Sequence, residues 1–149
     1  MLLKFRLAKT DDIEVILQMM KTFYEIDHYP FDYQQSLENL NQFISNDNFG
    51  KLWLLEENHK VIGYLVFSFS FSFEFGGRDA FIDEFFILES CRGRGLGRKM
   101  LDFSLKQAKD LDIKAVHLEV EKHNIRGNRL YRNYDFQEHD RYMMTKRIY

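Results

Sequence analysis

The ten residues CRGRGLGRKM, from Cys91 to Met100, set three glycines among three arginines and a lysine. Glycine lets a backbone approach a ligand without a Cβ in the way and permits positive φ. The stretch follows an apolar run and precedes a helical pattern, a junction where free backbone N–H groups and the positive end of the helix dipole converge. A phosphate is the ligand that this chemistry suits. The candidate donors are the backbone amides of Gly93, Arg94, Gly95, Leu96, Gly97 and Arg98, with the side chains of Arg92, Arg94, Arg98 and Lys99 adding charge. Two acids, Asp83 and Glu84, interrupt the apolar run AFIDEFFIL. A carboxylate inside a buried strand is costly unless satisfied or useful, so either is a candidate general base. Alternation along a strand sends them to opposite faces, so at most one is expected at a reacting centre. Glu119, on the next strand, is a third candidate.

The glycine loop is neither of two common phosphate loops. Gly97 is followed by Arg98 and Lys99, not by the Lys-Ser/Thr pair of a P-loop, and the spacing G-x-G-x-G is not the dinucleotide G-x-G-x-x-G. The five histidines are scattered and there is one cysteine, so no metal-ligand pattern emerges and no metal is expected. Cys91 has no Cys/His or Ser/His arrangement around it in the sequence and reads as incidental.

The elements that must position these groups follow from periodicity. LLKFRLA reads as a first strand, and Thr10 as the cap of a helix striped by Ile13, Ile16, Leu17, Met20 and Tyr24. Pro30 breaks that helix, and Leu37, Leu40 and Ile44 mark a second. KLWLLE and VIGYLVFSFSFSFEF form a hairpin, with Phe67, Phe69, Phe71, Phe73 and Phe75 expected on one face, covering a core or a homodimer interface. AFIDEFFIL is a buried strand, a helix follows the loop, KAVHLEVE is another strand, and IRGNRLYRNY a short helix. DFQEHD and RYMMTKRI are expected as a last pair of strands. This order gives an α/β layer fold on a mixed sheet, in one domain spanning 1–149.

With 149 residues, 45% of them hydrophobic, and a net charge of −2, the chain is not made to coat nucleic acid or anionic lipid. The lone cysteine excludes an intrachain disulfide and suits a reducing, cytoplasmic setting. The N-terminal stretch is too charged for a signal peptide, and no stretch reads as a membrane span.

The strand, the loop and the helix start FFILESCRGRGLGRKML, with R-x-x-G-x-G from Arg92 to Gly97, resemble the acyl-CoA signature of the GNAT superfamily of N-acetyltransferases. HNIRGNRLYRNYDF resembles that family's later motif through Asn124, Leu130, Tyr131 and Phe136, with Asp135 where the family most often has glycine. The two motifs and their element order cover roughly residues 80 to 147; the N-terminal half fits in layout only. The resemblance implies a twisted, mostly antiparallel mixed sheet of six or seven strands flanked by about four helices. It implies acetyl-CoA as co-substrate, with its pyrophosphate on the glycine loop and its pantetheine along Phe85, Phe86 and Ile87. It implies direct acetyl transfer to a primary amine, with Asn124 and Tyr131 near the cofactor and Tyr131 protonating the departing thiolate. Glu84 or Asp83 would take the amine proton through a water. The segment EIDHYPFDY offers Glu25, Asp27 and Asp32 to a cationic acceptor such as a polyamine, an aminoglycoside or a protein N-terminus, and Tyr24, Tyr29, Phe31 and Tyr33 as pocket walls. A catalytically silent domain that binds acyl-CoA or a protein partner is the alternative.

Overall fold

The computed structural model describes residues 2–149, which fall into two compact units, the first ending at Glu119 and the second spanning Val120–Tyr149. In the first unit β1 (Leu3–Leu7) leads to α1 (Ile13–Ile26) and α2 (Tyr33–Ile44). Then come β2 (Gly50–Glu57), β3 (Lys60–Ser72), β4 (Gly77–Ile87), α3 (Leu96–Asp110) and β5 (Val116–Leu118). The strands form one sheet in the order β1-β2-β3-β4-β5, antiparallel throughout except for the parallel β4–β5 pair. The second unit holds α4 (Ile125–Arg132). No helix among the described residues is long and apolar enough to cross a membrane.

Alternation along the central strands gives the sheet two apolar faces. Leu52, Leu54, Tyr64, Val66 and Phe86 pack against the α1 stripe of Ile13, Ile16, Leu17 and Met20 and against Leu40 of α2. On the other face Phe103 of α3 stacks on Phe5 at 4.5 Å and meets the edge of Trp53 at 5.7 Å. Leu96, Met100 and Leu101 of α3 are buried. The β2–β3 turn uses Asn58 and His59, both at positive φ, the two-residue geometry that matches strand twist.

Several sequence expectations give way. Thr10 does not cap α1; Thr10–Asp12 is a single 3-10 turn, and Asp12 makes the anchoring contacts. Its carboxylate accepts the Lys9 N–H at 2.8 Å and both terminal Arg6 nitrogens, Nη1 and Nη2, at 2.8 Å, while Arg6 Nε donates to Glu56 at 2.6 Å. One guanidinium thus ties β1, β2 and the start of α1. The phenylalanine comb also ends early, because β3 stops at Ser72: Phe67 is buried, Phe71 and Phe73 are exposed, and Phe75 lies in the turn against His117 at 4.8 Å. The sheet has five strands among the described residues, not six or seven. KAVHLEVE contributes only Val116–Leu118, and DFQEHD and RYMMTKRI form none. Every residue from 137 to 149 is exposed, so no buried face offsets the entropy of ordering a strand there.

Gly63 of β3 faces Phe86 and Ile87 of β4 with no room for a side chain. A Cβ there would stand 2.7 Å from the Phe86 carbonyl oxygen and 3.2 Å from the Ile87 side chain. Gly63→Ala therefore has to push the strands apart, and a loss of about 1–3 kcal/mol is expected in urea unfolding. An unchanged midpoint would show that the strand pair yields freely.

Candidate active site

Across β3 and β4 the register runs Val66↔Glu84 and then Phe67↔Ile82. One step on β3 is answered by two on β4, so Asp83 is the extra residue of a β-bulge. The bulge overturns the expectation that the two acids face opposite ways. Both line the same cavity, of about 190 Å³, on the α1/α2 side of the sheet. Met20 and Tyr24 of α1 and Ser36, Asn39, Leu40 and Phe43 of α2 form its helical wall, and Leu52 and Val66 its floor.

Glu84 is held by two hydroxyls: Tyr64 donates to Oε1 and Tyr24 to Oε2, each at 2.7 Å. Burial pushes the Glu84 carboxyl up, the Asp83 charge adds to this, and the two tyrosine hydrogen bonds pull it back. Both phenols are raised in turn, by burial and then by the Glu84 charge, so they remain donors. Asp83 keeps solvent-exposed surface, yet loss of hydration raises its carboxyl too. It has no hydrogen-bond partner among the described residues.

β4 is laddered to β3 along its length, but to β5 only from Ala80 to Ile82. Beyond that point the far edge of Glu84, Phe85, Phe86 and Ile87 carries no strand partner among the described residues. The loop that follows turns at Gly93 (φ 78) and Gly95 (φ 75), where a Cβ would meet nothing within 4 Å. Glycine is required there by the backbone angle, and the space beside it is open. Gly97 lies in the first turn of α3, whose start has no side-chain cap and no acid. Its first N–H groups thus remain directed outward.

The loop arginines are committed elsewhere. Arg92 donates to the Ile87 carbonyl at 2.8 Å and lies 5.4 Å over the Phe86 ring, and Arg94 pairs with Glu57 at the end of β2. In the second unit, Asn124 caps α4 by accepting the Gly127 N–H at 2.9 Å. Tyr131 packs edge-on to Phe136 at 5.8 Å, and burial pushes its phenol up to about 12. Asp135 takes the left-handed conformation, φ 63, that a glycine would adopt at that turn.

The model of the Acetyltransferase (GNAT) family matches residues 14–136 of this chain. The chain belongs to the GNAT acetyltransferase family. It is 24% identical over 136 residues to an uncharacterized N-acetyltransferase, YhfO, of Bacillus subtilis, covering 91% of each chain. It is 39% identical over 57 residues, 38% of each chain, to the spermine/spermidine N(1)-acetyltransferase of the same organism. Its fold matches the crystal structure of a predicted acetyltransferase with acetyl-CoA from Clostridium acetobutylicum with a TM-score of 0.81 at 22% identity, over 97% of this chain and 96% of that one. This GNAT chain is accordingly an N-acetyltransferase.

Of the aromatic residues expected around the acceptor, Tyr24 alone among Tyr24, Tyr29, Phe31 and Tyr33 lines the cavity. Tyr33 donates to Glu14 at 2.7 Å, and Asp32 caps α2 through the Gln35 N–H. The sequence reading missed Tyr64, and it missed the α2 wall, whose signal was present. Ser36, Asn39, Leu40 and Phe43 recur at helical spacing, with two polar positions inside an apolar stripe. Ser70 and His117 both bond to buried Asp79, at 2.6 and 2.8 Å. With the acid in the middle, this trio ties β3, β4 and β5 together and gives Ser70 no base.

Because the fold holds the Glu84 proton above the ordinary value of 4.5, protonated Glu84 contributes stability that is fully present below that value. This contribution is lost as pH rises through the raised one. Wild type is expected to lose thermal stability relative to Glu84→Gln across that window, and Tyr64→Phe should move the window to higher pH. A difference between wild type and Glu84→Gln that stays constant with pH would show that Glu84 titrates normally.

Proposed function

We propose that this acetyltransferase moves the acetyl group of acetyl-CoA directly to a primary amine of a small molecule or peptide, with residues 1–149 acting as one catalytic domain. The observation that carries the reading is the conjunction on one strand. The β4 edge loses its partner at Asp83, and the same strand runs into an uncapped, glycine-turned helix start. An extended chain of amides fits the first, and a pyrophosphate fits the second. Acetyl-CoA carries both, in that order.

In this mechanism the pantetheine lies along Phe85, Phe86 and Ile87, and the pyrophosphate on the amides of Gly93 to Arg98. Backbone donors therefore do most of the phosphate binding, since Arg92 and Arg94 are engaged with Ile87 and Glu57. The amine gives up its proton, through a water, to Glu84 or Asp83, whose raised carboxyls are better matched to an ammonium than an ordinary acid is. The nitrogen attacks the thioester carbonyl, the C–N bond forms, and collapse of the tetrahedral intermediate breaks the C–S bond. Tyr131, assigned by the resemblance of its motif and kept protonated near neutrality by burial, supplies the proton to the thiolate. Asn124 supports that turn through its cap on α4.

The test is acetyl-CoA-dependent release of free thiol over a panel of amines, beside calorimetric binding of acetyl-CoA. Tyr131→Phe is expected to lower kcat by roughly 10²- to 10³-fold with acetyl-CoA affinity unchanged. A variant with full kcat would remove Tyr131 from the acid's role. Acetyl-CoA binding with no transfer to any amine would favour the silent domain.

A further inference from the structure

The two carboxylates of the cavity are not equivalent. Each oxygen of Glu84 already accepts a tyrosine hydroxyl, from Tyr64 and from Tyr24. Asp83 lines the same cavity with neither oxygen engaged among the described residues. The bulge that displaces it from the β3–β4 pairing also turns it toward the space between sheet and helices. We propose that Asp83 is the residue that seats the ammonium of the acceptor, with Glu84 positioned behind it by Tyr24 and Tyr64, and that the acceptor is an aliphatic amine carrying no carboxylate.

The rest of the lining selects for that class. The walls between Asp83 and α2 are the apolar side chains of Met20, Leu40, Phe43, Leu52 and Val66. They suit a run of methylenes, and the volume of about 190 Å³ holds a short chain rather than a folded peptide. The polar groups on the helical wall are all neutral: Ser36, Asn39, which already accepts from Gln35 at 3.1 Å, and Tyr24, whose hydroxyl already donates to Glu84. No lysine, arginine or histidine is among the lining residues, so an acceptor carboxylate would meet two acids and no cation.

The proposal rests on the acetyltransferase reading, and the probes separate the two. Putrescine and ornithine share the same diamine skeleton and differ by a carboxylate. Their binding to the CoA-saturated protein is measured by calorimetry, alongside acetyl transfer to each. Putrescine is expected to bind roughly ten- to a hundredfold tighter than ornithine, and Asp83→Asn to weaken putrescine by a similar factor. Asp83→Glu, which keeps the charge, should restore most of the loss, which a merely structural role for Asp83 would not predict. Glu84→Gln should affect kcat more than putrescine affinity. Equal binding of the two diamines, no binding of putrescine, or an Asp83→Asn protein that binds as wild type does would each overturn the proposal. If Asp83→Asn does not fold, the wild-type pair still decides the class, and Asp83→Glu decides the residue. Selective putrescine binding with no acetyl transfer would leave this assignment standing and sink the catalytic reading instead.

Discussion

The register step between β3 and β4 governs how the two faces of the sheet divide their tasks. Val66 pairs with Glu84 and Phe67 with Ile82, so one residue of β4 is left over. Were the ladder regular, the alternation set by Phe86 and Glu84 would carry Ile82 to the α1/α2 face and Asp83 to the α3 face. A carboxylate would then be pushed into the aromatic layer of Trp53, Phe67 and Phe103, at a cost in hydration. With the bulge, Ile82 stays in that apolar layer, 6% exposed, and Asp83 joins Glu84 over the cavity. The bulge thus resolves a conflict between packing and chemistry on a single strand. It lies one residue beyond the last β4–β5 pair, at Ile82↔Leu118, so the same short segment also begins the free edge of β4.

Placing Glu84 there has a cost that its neighbours offset. An ionised carboxylate taken from water loses several kcal/mol of hydration, and hydrogen bonds to a charged group each return about 1.5–3 kcal/mol. Two phenols, one from α1 and one from β3, supply those bonds at 2.7 Å. Tyr64 is fully buried in the sheet while Tyr24 projects from α1 and touches Phe23 and Phe31. The carboxylate is therefore a bridge between helix and sheet as well as a charge in the site. Any motion of α1 relative to β3 would be felt as a change in the proton affinity of Glu84.

Much of this was legible in the residues. The α1 stripe, the hairpin, the strand–glycine loop–helix unit and the mixed sheet follow from periodicity and turn chemistry, because those signals are local. The bulge was not legible, since neither glycine nor proline marks it, and a period of two is what Asp83 and Glu84 show on paper. Nor were the partners of Glu84, which lie 60 and 20 positions away along the chain. Only the fold brings them into reach. The last strands failed for a different reason. RYMMTKRI resembles the family's last strand, but a strand there needs a face to bury, and Tyr142, Met143 and Met144 are exposed. Asp135 stands where the family most often has glycine, and its short side chain tolerates the left-handed backbone, φ 63, that the turn adopts.

The start of α3 carries its charge against the usual rule. Helices place acids in the first turn, where they complement the dipole, whereas here Arg98 and Lys99 stand in the first turn, with no acid among them. Each unfavourable charge at a helix end costs about 0.3–1 kcal/mol when exposed. Arg94, the neighbouring loop cation, is drawn off by Glu57, which lowers the local repulsion without neutralising the amides. A sequence shaped by stability alone would put Ser, Thr or Asp at the cap, where Gly95 stands at φ 75. Gly95 gives up that hydrogen bond and leaves the first N–H groups of the helix open, and the two cations beside them add attraction for an anion. Both departures from a stable helix start would become favourable at once with the proposed pyrophosphate supplying the missing acceptors.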